Sequence, residues 1–272
     1  MKLLSKITPA ETMLIKDCTS VQLKDLMKYT FMDLLLKKVI EIKEISKRSH
    51  PRDKYIRTYT YVVSGKNFNK YNPKNHELIY LSPFIKSKSI QILFKNFIKM
   101  AYDTSNGSWS YKKSTRNNQE INPYFKQTFL LNVFRLNRLT DNGNKLRKEI
   151  SHYLNDIDER IDDLLHNDKR KGLELLLSIG GNIFLLKNLD FQLLKKIDKE
   201  LINQQKILCN DTYDSDSDWW LYIDFFEDDY MFDSYFDSFD VTLDSFDSEF
   251  DASGCSSDDS GCSSCGGCGG CD

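Results

Sequence analysis

The sequence predicts a mainly α-helical fold with a small β component and an acidic tail that is disordered or conditionally helical. Apolar side chains recur every three or four residues through most of 1–210, which is the period of an amphipathic helix. One short region instead alternates apolar and polar residues, as a half-buried strand does. Beyond residue 210 the chain contains no Lys or Arg, and its composition changes abruptly.

Residues 1–72 are predicted to form a winged-helix-like unit. Residues 8–11 (Thr-Pro-Ala-Glu) carry a helix cap, a proline at the first helical position and the acid of a capping box. Apolar residues at helical spacing follow. Alternation at 39–45 and a β-rich run at 55–63, joined by a basic turn, then predict a two-stranded wing. Helices followed by such a wing are the order of a winged-helix domain.

A helical second unit is predicted for residues 73–209. Polar, turn-forming residues at 103–122 predict a loop within it, and Gly180 and Gly181 separate its last helices. Leu78 to Phe84 ends in a proline break. Helical segments are expected at 89–102, 124–137, 144–167, 170–179 and 190–206.

Opposite charges are segregated along the chain. Residues 1–210 hold all 38 Lys and Arg but 22 of the 40 acids, so their net charge is +16. Residues 211–272 hold 18 acids and no basic residue. A division of this kind indicates an interaction tail, which we divide into an acidic aromatic part, 210–254, and a Gly/Ser/Cys-rich terminus, 255–272.

The acidic part contains an apolar stripe with helical spacing. Its members recur four and three residues apart, and an Asp accompanies each of them. Asp, Ser and Phe are poor helix formers, and acids stacked one turn apart repel each other. We therefore expect a helix only against a basic, apolar surface, on the body of this chain or on another protein. The predicted partner-binding residues are Phe232, Phe236, Phe239, Leu243, Phe246 and Phe250, with Trp219 and Trp220 as further anchors.

The terminus ends in four cysteines spaced Cys-x-x-Cys. Two thiolates at this spacing reach one ion, so Cys262, Cys265, Cys268 and Cys271 are candidate ligands for zinc or another soft metal. The intervening glycines and serines provide no apolar shell. The same residues also fit cyclisation to azoles, capture through oxidation or crosslinking, and a plain exposed tail.

Basic residues in the first unit suggest nucleic acid as an alternative partner. Lys24, Lys28 and the residues of the basic turn suit phosphate contacts. However, the presumed recognition helix, 29–38, offers only Asp33, Lys37 and Lys38 as polar readers of base edges.

Three stretches resemble a bacterial family of uncharacterised proteins that often end in low-complexity Gly/Cys tails. They are the opening at 7–46, the Leu-Thr and Gly-Gly segments within 139–181, and the terminal GCSSCGGCGGC. The family is commonly described as membrane proteins, and the resemblance implies no catalytic residues. In this chain the longest apolar stretch, 173–186, is shorter than the roughly 20 residues of a membrane span.

The function predicted from the sequence is that of a cytoplasmic, non-enzymatic interaction protein. The chain has no HExxH motif, no Gly-rich phosphate loop and no nucleophile elbow. Its N-terminal apolar run is too short for a signal peptide, and only Cys18 and Cys209 lie in the body. The alternatives are a metal- or thiol-handling protein and a nucleic-acid-binding winged-helix protein.

Overall fold

Helices dominate the described chain, and one small antiparallel sheet accompanies them. The structure is a computed structural model that describes residues 2–48, 50, 52, 54–189, 242 and 244–252. Within these residues the sheet has three strands in the order β1-β2-β3. The prediction of a mainly α fold with a small β component is confirmed. None of the helices in the described ranges combines the length and apolar character needed to cross a membrane.

Two helices open the chain, α1 (Pro9–Asp17) and α2 (Leu23–Leu36). The capping box predicted for α1 is present, because Thr8 Oγ1 accepts from the Glu11 N–H and Glu11 Oε2 accepts from the Thr8 N–H at 2.7 Å. In α2 every side chain from residue 30 to residue 36 is buried. The second half of α2 is therefore the centre about which the other elements pack.

The predicted hairpin follows α2 directly. Strand β1 (Ile40–Arg48) pairs antiparallel with β2 (Ile56–Ser64), and β2 pairs with the short strand β3 (Ile92–Leu93). Because α2 is one continuous helix, the presumed recognition helix at 29–38 lies largely within it. Its polar members Asp33, Lys37 and Lys38 are all buried.

The remaining helices form the second part of the body. They are α3 (Leu78–Lys86), α4 (Phe94–Ser105), α5 (Gly107–Arg116), α6 (Phe129–Val133), α7 (Asp141–Asn167) and α8 (Lys169–Ile179), with two 3-10 helices, η1 (Asn122–Tyr124) and η2 (Gly180–Leu185). The predicted helices at 144–167 and 170–179 correspond to α7 and α8. The proline break does not end α3, because the helix continues past Pro83 to Lys86. The helix predicted at 190–206 lies outside the described residues.

Two predictions in this part were wrong. The loop expected at 103–122 contains α5, whose Tyr111 is buried and donates a 2.8 Å hydrogen bond to Thr30 Oγ1. This tertiary contact outweighs the polar local composition. The helix expected at 124–137 is reduced to α6, because Phe125 and Leu139 form an antiparallel bridge that closes the segment into a loop. Phe129 and Phe134 of this loop are exposed.

A contiguous apolar core joins α1, α2, α3, α4, α7 and α8. At its centre the ring of Phe31 lies 5.9 Å from Tyr80, 5.7 Å from Phe94 and 6.1 Å from Phe97, measured between ring centroids. Buried aromatic rings supply large apolar areas and contribute further through edge and tilted contacts. The aromatic cluster therefore ties α2 to α3 and α4.

A buried ion pair at the C-terminal end of α2 lies against the double glycine. Asp33 Oδ2 lies 2.9 Å from Lys37 Nζ, and both side chains are almost fully buried. The backbone of Gly181 lies directly against this carboxylate, so that a Cβ added there would overlap Asp33 Oδ1. Next to it, Asn182 Nδ2 donates to the carbonyls of Leu4 and Ile7. The start of η2 is thus held between α2 and the N-terminus.

A second buried polar group lies at the start of α1. Glu11 is fully buried and accepts hydrogen bonds from Lys74 Nζ at 2.7 Å and from Asn118. Burial would raise the pKa of Glu11, but the charges of Lys74 and His76 and the hydrogen bonds from Lys74 and Thr8 lower it overall. Burial lowers the pKa of His76 from 6.5 to about 4, so this imidazole is neutral at pH 7.

The close approach at Gly181 generates a stability prediction. We expect Gly181→Ala to reduce the free energy of unfolding by about 3 kcal/mol, because the new methyl group displaces a buried, ion-paired carboxylate. The measurement is urea unfolding followed by circular dichroism. In the control Gly107→Ala, where no atom lies within 4 Å but φ is +83°, only about 1 kcal/mol of backbone strain is expected. Equal losses in the two variants would contradict the contact.

His76 generates a prediction about pH. Above about pH 7.5 the imidazole is neutral in the folded and the unfolded chain, and it adds no pH dependence. As pH falls from 6.5 towards 4, only the unfolded chain takes up the proton, so the free energy of unfolding declines by up to about 3 kcal/mol. We expect His76→Gln to flatten this slope between pH 7.5 and 5 in urea titrations. His152→Gln should keep it, and parallel slopes in all three proteins would exclude His76 as the cause.

Candidate tail-docking site

Two of the predicted partner-binding residues lie in a described helix near the end of the chain. This tail helix, residues 244–252, contains Phe246 and Phe250. The other predicted residues lie outside the described ranges, as do the candidate metal ligands. They are Trp219, Trp220, Phe232, Phe236, Phe239 and Leu243, and Cys262, Cys265, Cys268 and Cys271.

Both phenylalanines of the tail helix are buried against the body. Phe246 is 0 % exposed, and its ring centroid lies 5.7 Å from that of Phe31 on α2. Phe250 is 2 % exposed and forms a T-shaped contact with Tyr102 on α4, with ring centroids 5.5 Å apart. The two tail rings also stack on each other at 6.0 Å. The apolar stripe of the tail helix therefore closes the aromatic core on the side of α2 and α4.

Ion pairs flank this aromatic contact. Lys24 Nζ lies 2.9 Å from Asp251 Oδ2, and Lys28 Nζ lies 2.6 Å from Asp247 Oδ2. Lys24 also lies 3.6 Å from Asp247 Oδ1. We name the surface formed by Lys24, Lys28, Phe31 and Tyr102 the tail groove.

The pairing fixes the direction of the tail helix. Along α2 the order of contact is Lys24, Lys28 and Phe31, and their partners Asp251, Asp247 and Phe246 follow in reverse order. The tail helix is therefore antiparallel to α2. Lysines four residues apart face aspartates four residues apart, which is the separation of neighbouring side chains on one helix face.

The charges of the site perturb one another. Burial would lower the pKa of Lys24, but hydrogen bonding to Asp251 and the charges of Asp247 and Asp251 raise it above its ordinary value. Burial raises the pKa of Asp25, and the nearby charge of Asp247 adds to that effect against the opposing charge of Lys28. The lysines thus attract the tail helix while Asp25 opposes it, so the electrostatic gain is smaller than the ion-pair distances alone indicate.

Magnitudes show which interaction dominates. Burying one phenylalanine side chain contributes about 1.5–3 kcal/mol. An ion pair between partly exposed side chains contributes about 0.2–1 kcal/mol, and salt weakens it. The two rings therefore supply most of the stability of the docked state. The ion pairs select direction and register, as charge complementarity does at protein interfaces.

The sequence predicted the tail side of this contact but not its counterpart. From the sequence, Lys24 and Lys28 suggested phosphate contacts. Their four-residue spacing, matched to the aspartates of the tail, was the available signal. Tyr102 carried no such signal, because its position depends on how α4 packs beside α2.

Within the described residues there is little support for a metal site or for nucleic-acid binding. They contain no cluster of three or more His, Cys, Asp or Glu side chains that could hold a metal ion. The terminal cysteines lie outside these residues, so their role as ligands stays a prediction. Asp33 and Lys37 are buried and paired with each other, which removes them as readers of base edges.

Comparison with known proteins identified no relative, since no protein-family model, no curated protein and no solved structure matches this chain.

Proposed function

We propose that this chain is a non-enzymatic interaction protein whose body binds acidic, phenylalanine-bearing helices. Its own tail helix is one such ligand, and a partner protein supplies another. The observation that carries this proposal is the burial of Phe246 and Phe250 in the tail groove between antiparallel ion pairs. This is helix-in-groove recognition, in which anchors one turn apart enter an apolar surface.

The composition of the tail makes docking conditional. Residues 244–252 include three Asp and two Ser, which disfavour a helix in isolation. Helix formation and docking are therefore coupled, and part of the contact energy is consumed in ordering the segment. A ligand bound in this way exchanges with competitors more readily than a rigid one does. The tail thus acts as a resident ligand that an external helix displaces.

Covalent connection favours the resident ligand. A tethered segment acts at an effective concentration in the millimolar range, so a free competitor must bind more tightly than the tail does. Salt weakens the ion pairs of both ligands. At high salt a partner with more apolar anchors than the tail competes best, because its binding depends less on the flanking charges.

The nucleic-acid alternative has less support from the geometry. Lys24 and Lys28, two of the basic residues assigned to phosphate contacts, pair with the tail. The basic hairpin keeps a surface for such contacts, but the helix before it is buried from residue 30 to residue 36. A winged hairpin without an accessible reading helix lacks the major-groove element of the usual docking geometry.

Charge reversal in the full chain tests the docked state. We expect Lys24→Glu with Lys28→Glu to accelerate amide hydrogen exchange in 244–252 about tenfold, because lost attraction and new repulsion together amount to about 1.4 kcal/mol. Adding Asp247→Lys and Asp251→Lys should restore slow exchange. Phe246→Ser with Phe250→Ser should abolish protection at any salt concentration. Exchange is read by mass spectrometry.

The matched control is Lys145→Glu with Lys148→Glu, which changes two exposed lysines of α7. This variant carries the same change in net charge and should leave exchange in 244–252 unchanged. If the unaltered chain exchanges in this segment as fast as the double phenylalanine variant, the tail does not dock and the proposal fails.

A further inference from the structure

The tail contains a second version of the hexapeptide that occupies the tail groove. The docked helix presents Phe-Asp-Ser-Glu-Phe-Asp at 246–251, and residues 232–237 read Phe-Asp-Ser-Tyr-Phe-Asp. The two hexapeptides differ only at their fourth position. Between them, 239–244 reads Phe-Asp-Val-Thr-Leu-Asp, which keeps the spacing but replaces the second Phe with Leu.

The four side chains that form the ring contacts and ion pairs described above have identical counterparts upstream. The contacts are made by the two phenylalanines, with Phe31 and Tyr102, and by the two aspartates, with Lys28 and Lys24. The counterparts are Phe232, Asp233, Phe236 and Asp237. At the differing position Glu249 is half-buried and its Oε2 atom is enclosed. Tyr235 cannot reproduce this carboxylate, so the upstream hexapeptide is expected to be the weaker of the two ligands.

We propose that the tail groove reads the motif Phe-Asp-Ser-x-Phe-Asp and that residues 232–237 are its alternative occupant in the same chain. This inference rests on the proposed function and names its second ligand. The groove has one Lys24–Lys28 pair and one Phe31–Tyr102 surface, so it holds one hexapeptide at a time. The two registers therefore exclude each other.

Connectivity permits both registers within one chain. The last described residue of the body is Leu189. If fully extended, the segment from there to Phe232 would reach more than about 100 Å. The upstream hexapeptide can therefore reach the groove without moving the body. Tethering also favours the same chain over a second copy, because its effective concentration exceeds that of a dilute free protein.

The exchange has a consequence for binding. When 232–237 occupies the groove, the downstream hexapeptide and the cysteine-rich terminus are released from the body. When 246–251 is docked instead, the part of the chain that follows the docked hexapeptide is fourteen residues shorter. The two registers thus present different parts of the tail to a partner. The middle hexapeptide competes less well, because Leu243 cannot make the aromatic edge contact that Phe250 makes with Tyr102.

Zero-length carbodiimide crosslinking of the full chain distinguishes the registers, because it joins lysines only to carboxylates in direct contact. In the unaltered protein we expect Lys24–Asp251 and Lys28–Asp247 as major products and Lys24–Asp237 and Lys28–Asp233 as minor ones. Phe246→Ser with Phe250→Ser should raise the ratio of upstream to downstream products at least tenfold. Phe232→Ser with Phe236→Ser should remove the upstream products.

Two further variants guard against loss of folding. Phe246 packs on the core, so each phenylalanine variant is first checked by thermal unfolding. Asp247→Asn with Asp251→Asn leaves the rings in place and weakens only the downstream ion pairs, and it should also raise the upstream products.

Tyr235→Glu makes the upstream hexapeptide identical to the docked one and should bring the two sets of products closer to equal.

Each contrary result has a separate meaning. No upstream product in the folded downstream variants would overturn the second ligand and leave the proposed function standing. Absence of the Lys24–Asp251 product in the unaltered chain would overturn the proposed function itself. Dominant products from Asp240 or Asp244 would assign the groove to the middle hexapeptide instead. Mixed products from ¹⁴N- and ¹⁵N-labelled copies would make the occupant a second molecule and overturn exchange within one chain.

Discussion

The ring of Phe31 is the contact on which both the core and the docked tail depend. It packs with Tyr80, Phe94 and Phe97 of the body and with Phe246 of the tail helix. Every side chain of α2 from residue 30 to residue 36 is buried, so the ring of Phe31 must be covered by other apolar side chains. The tail helix provides that cover. The body and its ligand are therefore linked through one side chain, and uncovering the groove exposes the edge of the core.

Two kinds of interaction hold the tail helix in the groove, and they contribute differently. The phenylalanines supply the larger free energy but have little directional preference, since apolar burial depends mainly on area. Lys24 and Lys28 contribute less but set the antiparallel direction and the register. The poor helix propensity of the tail opposes both. A contact of this composition has a defined direction without a large net binding energy, as the proposed exchange of ligands requires.

Local signals in the sequence were sufficient for some elements and insufficient for others. The capping box of α1 and the hairpin strands follow from short-range patterns and were predicted. Helix α5 was missed because its stability comes from Tyr111, which reaches Thr30 on a helix far away in sequence. The reduction of 124–137 to α6 depends on a bridge between Phe125 and Leu139, which no helical period encodes. On the tail the ligand was visible in the sequence, whereas its receptor needed the packing of α4 on α2.

Under the proposed exchange, the repetition in the tail would allow a simple composition to give selective binding. Each heptad from residue 232 to residue 252 places an apolar side chain, an acid and, four residues on, the same pair again. The described helix meets the groove through two lysines one turn apart and through the rings of Phe31 and Tyr102. In the proposed exchange, discrimination among the heptads depends on the second anchor, where Phe can meet the ring of Tyr102 and Leu cannot do so. Specificity in the proposed system would come from one aromatic position and one distance, and the acidic residues around them would keep a released segment soluble.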